Sequence, residues 1–170
     1  MKLSNKFIIP SLIISLLFSS CAHLRKAPPI NVEDQGLLAY VTPETPSNRT
    51  ASLNMVEGAK RAISDGRYLF AQTQLETAIR VDGTNPYAYY YLAKTHYLLK
   101  NYKNAFEMLT HAESLFGGTQ TDWLSQCHTL EGMIYEEQGN FDQARSSYKT
   151  ALDLYPKNQQ ARTLIKELKN

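Results

Sequence analysis

Residues 132–156 read GMIYEEQGNFDQARSSYKTALDLYP, a stretch that divides into two helical patterns around a turn. The turn lies at Gly139 and Asn140, because this residue pair favours tight turns over regular structure. After the turn, Ala144, Tyr148 and Ala151 follow one another at spacings of four and three residues, which place them on one helical face. The stretch therefore predicts two helices joined by a tight turn.

The same pattern recurs earlier in the chain. Its second helix carries a small, a large and a small side chain, and the motif recurs after 34 and then 39 residues. The three copies are Ala71, Leu75, Ala78; Ala105, Leu109, Ala112; and Ala144, Tyr148, Ala151. The five additional residues fall in the loop-rich stretch 117–122. A fixed period of this length is typical of helical repeat proteins, in which each unit buries its apolar face against the next.

A helix-turn-helix unit of 34 residues with these residue types resembles the tetratricopeptide repeat family. The third unit matches the family pattern best, with Gly132, Tyr135, Gly139, Phe141, Ala144, Tyr148, Ala151 and Pro156. The second unit departs from it at His96 and Gly117, and Glu131 replaces the Leu expected in the third. The resemblance implies an all-α fold, an α-solenoid of about three units. We place the units at 52–85, 86–119 and 120–158, the last with a loop insertion.

A final amphipathic segment follows the third unit. Ala161, Leu164, Ile165 and Leu168 recur at helical spacing within residues 159–170. We interpret this segment as a capping helix that covers the apolar face of the last repeat.

The chain begins with a targeting segment. Residues 1–20 contain a basic start and an apolar run too short to cross a membrane as a helix, as in a secretory signal peptide. Residues 17–21, LFSSC, resemble the lipobox of bacterial lipoproteins, which implies cleavage before Cys21 and lipidation of that cysteine. Ala22 in place of aspartate implies a lipid anchor in the outer membrane, facing the periplasm. The alternatives are the inner or single cell membrane, or an uncleaved anchor helix.

Residues 21–50 are interpreted as a flexible, lipidated tether, because they are rich in Pro, Ser and Thr and lack a sustained helical period. Within them, residues 31–41 carry enough apolar side chains for a short helix or for docking onto the repeats. Both alternatives remain open at this stage.

The resemblance implies a protein-binding scaffold whose first helices line a concave groove. In the second unit Tyr87, Tyr90, Lys94 and Tyr97 share one helical face at i, i+3, i+7 and i+10. The repeat phase adds Lys60 from the first unit and Met133 from the third. Tyrosines in such numbers suit a peptide-binding surface, although packing against neighbouring repeats or residues 30–41 is an alternative role for them.

Two of the groove positions bear on the mode of recognition. Chaperone-binding members of the family hold a free C-terminal carboxylate with Lys and Asn at two first-unit positions, where this chain has Val56 and Lys60. We therefore expect no carboxylate recognition of that kind.

The sequence favours no catalytic, metal or cofactor function. Cys127 and His128 are adjacent, so on a helix they point in different directions, and Cys127 is expected to be buried or half-buried. His96, His111 and His128 are too dispersed for a zinc site, and Glu131, Glu136 and Glu137 are interpreted as a solvated helix face. Without Lys2 and Lys6, sixteen basic residues oppose 16 acidic ones, which disfavours nucleic-acid binding. We expect no small-molecule substrate.

The resulting hypothesis is a membrane-anchored periplasmic adaptor, not an enzyme, that grips a segment of a partner protein. The machinery it serves would be pilus or secretin, cell-wall or outer-membrane assembly, by analogy with other small repeat lipoproteins. The alternative is a self-associating structural lipoprotein of the cell envelope without a client peptide.

Overall fold

The computed structural model describes residues 36–168, which form α-helices and two short 3₁₀ helices and contain no β-strand. The signal peptide, Cys21 and the first part of the tether lie outside the described residues, as do residues 169–170. The α-helices are α1 Ser47–Ser64, α2 Tyr68–Val81, α3 Pro86–Leu98, α4 Tyr102–Phe116, α5 Thr121–Glu137, α6 Phe141–Leu154 and α7 Gln159–Glu167. The 3₁₀ helices are Leu37–Tyr40 and Gly117–Thr119. The predicted all-α solenoid is confirmed.

Helices α1 and α2, α3 and α4, and α5 and α6 form three helix-turn-helix pairs. Each turn has a residue with positive φ at the same place in the repeat, namely Gly66, Lys100 and Gly139. The following main-chain N–H bonds back across the turn, as in Asn140 N–H to the Tyr135 carbonyl at 2.8 Å. This pattern satisfies the last carbonyls of each first helix and reverses the chain.

Small residues let the paired helices approach each other. Ala59, Ala93 and Gly132 in the first helices and Ala71, Ala105 and Ala144 in the second helices recur in phase, and the alanines among them are fully buried. The ring of Tyr148 occupies the space where a side chain at Gly132 would lie. Close helix packing therefore depends on these positions remaining small.

The ends of the solenoid differ from the sequence-based boundaries. Helix α1 begins at Ser47, so residues 47–50, which the sequence predicts as part of the tether, form its first turn. The Arg49 guanidinium pairs with Asp82 after α2, which secures this turn to the repeat. At the other end, α7 packs on α6, and both Ala161 and Leu168 are buried. Within residues 36–168 no helix is long and apolar enough to cross a membrane.

Candidate protein-interaction groove

Three cavities follow one another along the face built by α1, α3 and α5. The first, of about 450 Å³, is lined by Lys60 and Lys94. The second, of about 80 Å³, is lined by Lys94, Tyr97 and Met133. Tyr97 and Met133 also line the third, of about 410 Å³, with Leu164 of α7. The structure therefore brings Lys60, Lys94, Tyr97 and Met133 onto one surface, which we call the open groove.

Tyr90 and Tyr87 contribute to the core more than to this surface. Tyr90 lines the small second cavity, but only 2% of its surface is exposed, and its ring lies 5.4 Å from that of Trp123. Tyr87 is buried, and the centre of its ring lies 4.9 Å from that of Trp123. Its hydroxyl donates to Gln120 Oε1 at 3.1 Å. Burial raises the pKa of Tyr87 to about 12, and the nearby Tyr40 and Asp122 contribute to this shift.

Of the two roles that the sequence left open for these tyrosines, Tyr87 and Tyr90 take the packing role in the structure. Trp123 comes from the next unit, and Tyr40, which stacks on Tyr87 at 5.8 Å, comes from the segment before α1. A helical period cannot indicate what another element will place over a given face. On another face of α3, Tyr89 is half-buried, whereas Leu92, Ala93 and His96 are buried.

Residues 36–41, which we call the docked segment, cover the first-unit end of the groove. Leu37 is fully buried in the same apolar cluster as Leu53 and Val56, which occupy groove positions of α1. The main-chain N–H of Leu37 donates to Glu57 Oε1. Residues 36–41 therefore dock on the repeats and Leu37–Tyr40 form a 3₁₀ helix, which resolves for this part the alternatives that the sequence left open.

Charge is distributed unevenly along the groove. At the first cavity, Lys60 Nζ lies 3.1 Å from Glu57 Oε1 and 5.6 Å from the centre of the Tyr91 ring. The third cavity has Glu136 and Glu137 in its lining. Burial and these two carboxylates raise the pKa of Tyr97, which lies between the ends. The groove thus offers lysines at one end, aromatic and thioether surface in the middle and carboxylates at the other end.

Two of the glutamates are less solvated than the sequence suggested. Glu136 is half-buried and accepts a hydrogen bond from the Tyr148 hydroxyl at 2.8 Å. Glu131 lies 3.1 Å from His128 Nδ1, and Glu113 of α4 approaches the same nitrogen at 4.0 Å. The expectation of a solvated helix face was therefore wrong for these residues, because α4 and α6 pack over that side of α5. Glu137 is exposed as expected.

The structure also contains polar contacts between consecutive units that the sequence analysis does not predict. Asn85 donates to Ser52 Oγ at 2.8 Å, and Ser52 donates to the Ala78 carbonyl at 2.9 Å. Asn158 and Ser125 form the same arrangement with the Ala151 carbonyl. The available sequence signal was a Ser followed 33 residues later by Asn, repeated with an offset of 73 residues. We call each arrangement a Ser–Asn tie.

A further cavity of about 620 Å³ was also not foreseen. It lies beside the docked segment and is lined by Arg49, Tyr40 and Tyr87 among others. The Arg49 guanidinium is bound by Asp82 and by the Thr84 carbonyl at 2.9 Å. Burial opposes ionisation of Asp82, but hydrogen bonds from Arg49 and Thr84 outweigh it, and its pKa lies below the ordinary value.

The described side chains form a surface suited to binding. Cys127 is buried within α5, in agreement with the expectation for it. Among residues 36–168 no three His, Cys, Asp or Glu side chains are grouped so as to hold a metal ion. The groove offers a binding partner its shape, its aromatic surface and its charges.

Comparison with known proteins agrees with the repeat architecture. Residues 84–157 match the tetratricopeptide repeat family model. Regulatory protein RapC of Bacillus subtilis (strain 168) is 35% identical over 74 residues, which make up 44% of this chain and 18% of RapC. Thus the match spans less than a fifth of the length of that curated relative.

Solved structures show the same fold over most of the chain. The tetratricopeptide domain of Arabidopsis OM64 is 24% identical, with a TM-score of 0.62, and the match covers 72% of this chain and 98% of that one. The second such domain of human RPAP3, in complex with the HSP70 peptide SGPTIEEVD, is 22% identical with a TM-score of 0.62, over 73% and 99% of the two chains. Residues 84–157 thus match the tetratricopeptide repeat model, and these solved structures show that the described chain has the fold of such repeats.

Proposed function

We propose that this protein is a membrane-anchored scaffold that holds a segment of a partner protein in its groove. The observation that supports this best is the open groove, in which Lys60, Lys94, Tyr97 and Met133 from three successive first helices share one surface. The solved relatives of this fold include domains in complex with HSP90 and HSP70 peptides. A half-buried aromatic and thioether surface bordered by charges suits an extended peptide.

The proposed partner segment does not depend on a free C-terminal carboxylate. At the two first-unit positions that chaperone-binding members use for it, this chain has Val56, which is fully buried, and Lys60, which is paired with Glu57. We therefore expect the peptide SGPTIEEVD to bind no better than the same peptide with an amidated C-terminus. Fluorescence anisotropy with both peptides tests this expectation.

A charge reversal in the groove tests the binding role. Lys94→Glu should abolish capture of the partner in crosslinked cells, because Lys94 lines both the first and the second cavity. Lys103→Glu is the matched control, since Lys103 is exposed on α4 and lines neither cavity. Equal capture by the two variants, each with unchanged circular dichroism, would exclude this surface as the binding site.

We further propose that lipidation of Cys21 places the scaffold at the outer membrane, facing the periplasm, for assembly of envelope machinery. The basis is the sequence of residues 17–21 with Ala22, and the inner or single membrane is the alternative location. Tethering near a partner raises its effective concentration, so weak groove contacts suffice.

Incorporation of an alkyne-labelled fatty acid tests the anchor. Cys21→Ala should lose the label and leave the membrane fraction, whereas Cys127→Ala should keep both, because Cys127 is a buried thiol of the repeat domain. Label retained by Cys21→Ala would contradict the proposed anchor while leaving the groove untouched.

A further inference from the structure

The docked segment covers positions that would otherwise form the start of the groove. Leu53 and Val56 face the groove side of α1, and no earlier repeat precedes α1 within the described residues. Both side chains are nevertheless buried, and Leu37 lies fully buried in the same cluster. The chain itself therefore supplies the occupant of this end of the groove.

The contacts of the docked segment are those by which a groove binds a peptide. An apolar side chain, Leu37, is buried, and the main-chain N–H of the same residue is bound by the Glu57 carboxylate. Three residues later the Tyr40 ring stacks on Tyr87 at 5.8 Å and an interplanar angle of 14°. Leu38, between them, is 43% exposed. Recognition thus involves an apolar residue, the main chain and an aromatic ring at a spacing of three.

Only part of the docked segment is buried, because Val41 is half-buried against the apolar cluster and the side chains other than Leu37 and Val41 are exposed. Leu37 is its one fully buried side chain, while Tyr40 remains 43% exposed. Its secondary structure is a four-residue 3₁₀ helix, which carries little stability of its own. Residues 42–46 connect it to α1 through a turn in which Thr42 N–H donates to Thr45 Oγ1 at 2.8 Å. This short connection keeps the segment at high effective concentration near its seat.

The seat is also continuous with the open groove. Glu57 Oε1 accepts from the Leu37 N–H and lies 3.1 Å from Lys60 Nζ. Lys60 in turn lines the first cavity with Lys94. A peptide that replaces the docked segment can therefore extend into the open groove.

We propose that the first-unit end of the groove is a seat for peptides with an apolar residue followed three positions later by an aromatic ring. At rest the chain's own Leu37 and Tyr40 fill this seat, and a partner segment of the same chemistry exchanges with them. This inference rests on the proposed function and specifies the chemistry of the partner.

A labelled peptide of residues 34–44 tests the exchange by fluorescence anisotropy with the full chain in detergent. It should bind the Leu37→Asp chain, whose seat is vacated, and bind the wild-type and Leu38→Asp chains about tenfold more weakly, because they fill the seat in cis. In the peptide, Leu37→Asp should abolish binding and the matched Leu38→Asp should retain it. Failure of the wild-type peptide to bind a folded Leu37→Asp chain would overturn the proposal, as would equal binding of the two variant peptides.

Hydrogen exchange on the wild-type chain provides a test that needs no variant. The amides of residues 37–41 should exchange at least about tenfold faster than the central amides of α1, because a displaceable segment opens without the repeat. Equal protection of the two regions would show a permanent cap and overturn the proposal. If Lys94→Glu abolishes partner capture while the peptide does not exchange, the proposed function stands and only the seat is refuted.

Discussion

Two glycines within first helices show how a single residue position decides helix packing. Gly132 in α5 faces the ring of Tyr148, a fully buried side chain of α6, and an added Cβ would overlap that ring. Gly58 in α1 has space, because its nearest neighbour would be the mobile end of Arg61 at 4.0 Å. Close helix packing therefore requires glycine at position 132 and does not require it at position 58.

We predict that Gly132→Ala destabilises the protein by about 1–3 kcal/mol, because overpacking outweighs the gain in helix propensity. Gly58→Ala is the matched control and should stabilise it by about 0.5–1 kcal/mol, since only the propensity changes. Urea unfolding followed by circular dichroism measures both changes. Loss of stability in both variants would show that Gly58 is also required for packing.

His128 gives the protein a pH-dependent contribution to stability. The hydrogen bond to Glu131 raises the pKa of His128, burial opposes this shift, and Glu113 adds to it. Because the folded-state pKa lies above the unfolded value, the contribution is complete below the unfolded pKa of about 6.5 and is lost as the pH rises through the folded pKa.

Accordingly, His128→Gln should cost about 1 kcal/mol at acidic pH, where the wild-type imidazole is charged, and much less at alkaline pH. Urea unfolding at both pH values measures the difference. Glu131→Gln should remove most of the same pH-dependent part, because it removes the negative charge that stabilises the imidazolium, although an amide oxygen remains to accept a hydrogen bond. A cost of His128→Gln that does not vary with pH would refute this electrostatic explanation.

At the scale of elements, the Ser–Asn ties join the end of one helix pair to the start of the next helix. Asn158 Oδ1 accepts from Ala161 N–H at 3.0 Å and caps α7, while its Nδ2 donates to Ser125 Oγ in α5. Asn85 likewise caps α3 and binds Ser52 of α1. One side chain thus begins a helix and fixes it against the preceding unit.

We expect Asn158→Ala to cost about 2 kcal/mol, from the lost cap and from the lost hydrogen bond that Asn158 Nδ2 donates to Ser125 Oγ. In a double-mutant cycle, Ser125→Ala and Asn158→Ala should couple by at least about 0.5 kcal/mol. Ser146→Ala, at an exposed position of α6, is the control and should change stability by less than about 0.5 kcal/mol. Strict additivity in the cycle would mean that the tie contributes only through the cap.

The helices and their phase could be predicted from the sequence because three copies of one period constrain one another. The docked segment could not be predicted in the same way. Residues 31–41 have apolar side chains, but the stretch is too short for their spacing to distinguish a helix from an extended segment that docks on the repeats. The burial of Tyr87 and Tyr90 was equally beyond a local pattern, since Trp123 and Tyr40 come from other elements. Local spacing indicates a face, and long-range contacts decide whether the face is a surface.

At the scale of the whole molecule, the junctions between successive units differ. A Ser–Asn tie joins the first unit to the second and the third unit to α7. Between the second and third units the equivalent positions are Pro86 and Thr119, and an aromatic cluster takes the place of the tie. This cluster surrounds the buried Trp123, and its members are Tyr87, Tyr90, Tyr91 and Phe116. The second junction therefore depends on ring packing.

Substitution of Trp123 should uncouple the third unit from the first two units. Trp123→Ala is expected to cost about 3–5 kcal/mol, because it leaves a large cavity between rigid rings. Trp123→Phe should cost less than about 1.5 kcal/mol, since Trp123 Nε1 has no hydrogen-bond partner within residues 36–168 and loses none. Guanidinium unfolding followed by circular dichroism measures both, and Trp123→Ala should broaden the transition as the third unit unfolds separately.

Trp123→Ala also tests whether partner binding in the groove depends on this junction. Lys94 and Tyr97 come from α3, whereas Met133 comes from α5, so the second cavity spans the junction that Trp123 holds. A loosened junction should therefore weaken partner capture by Trp123→Ala even under conditions where the helices remain folded, while Trp123→Phe retains capture. Full capture by a folded Trp123→Ala chain would show that the partner engages one side of the junction only.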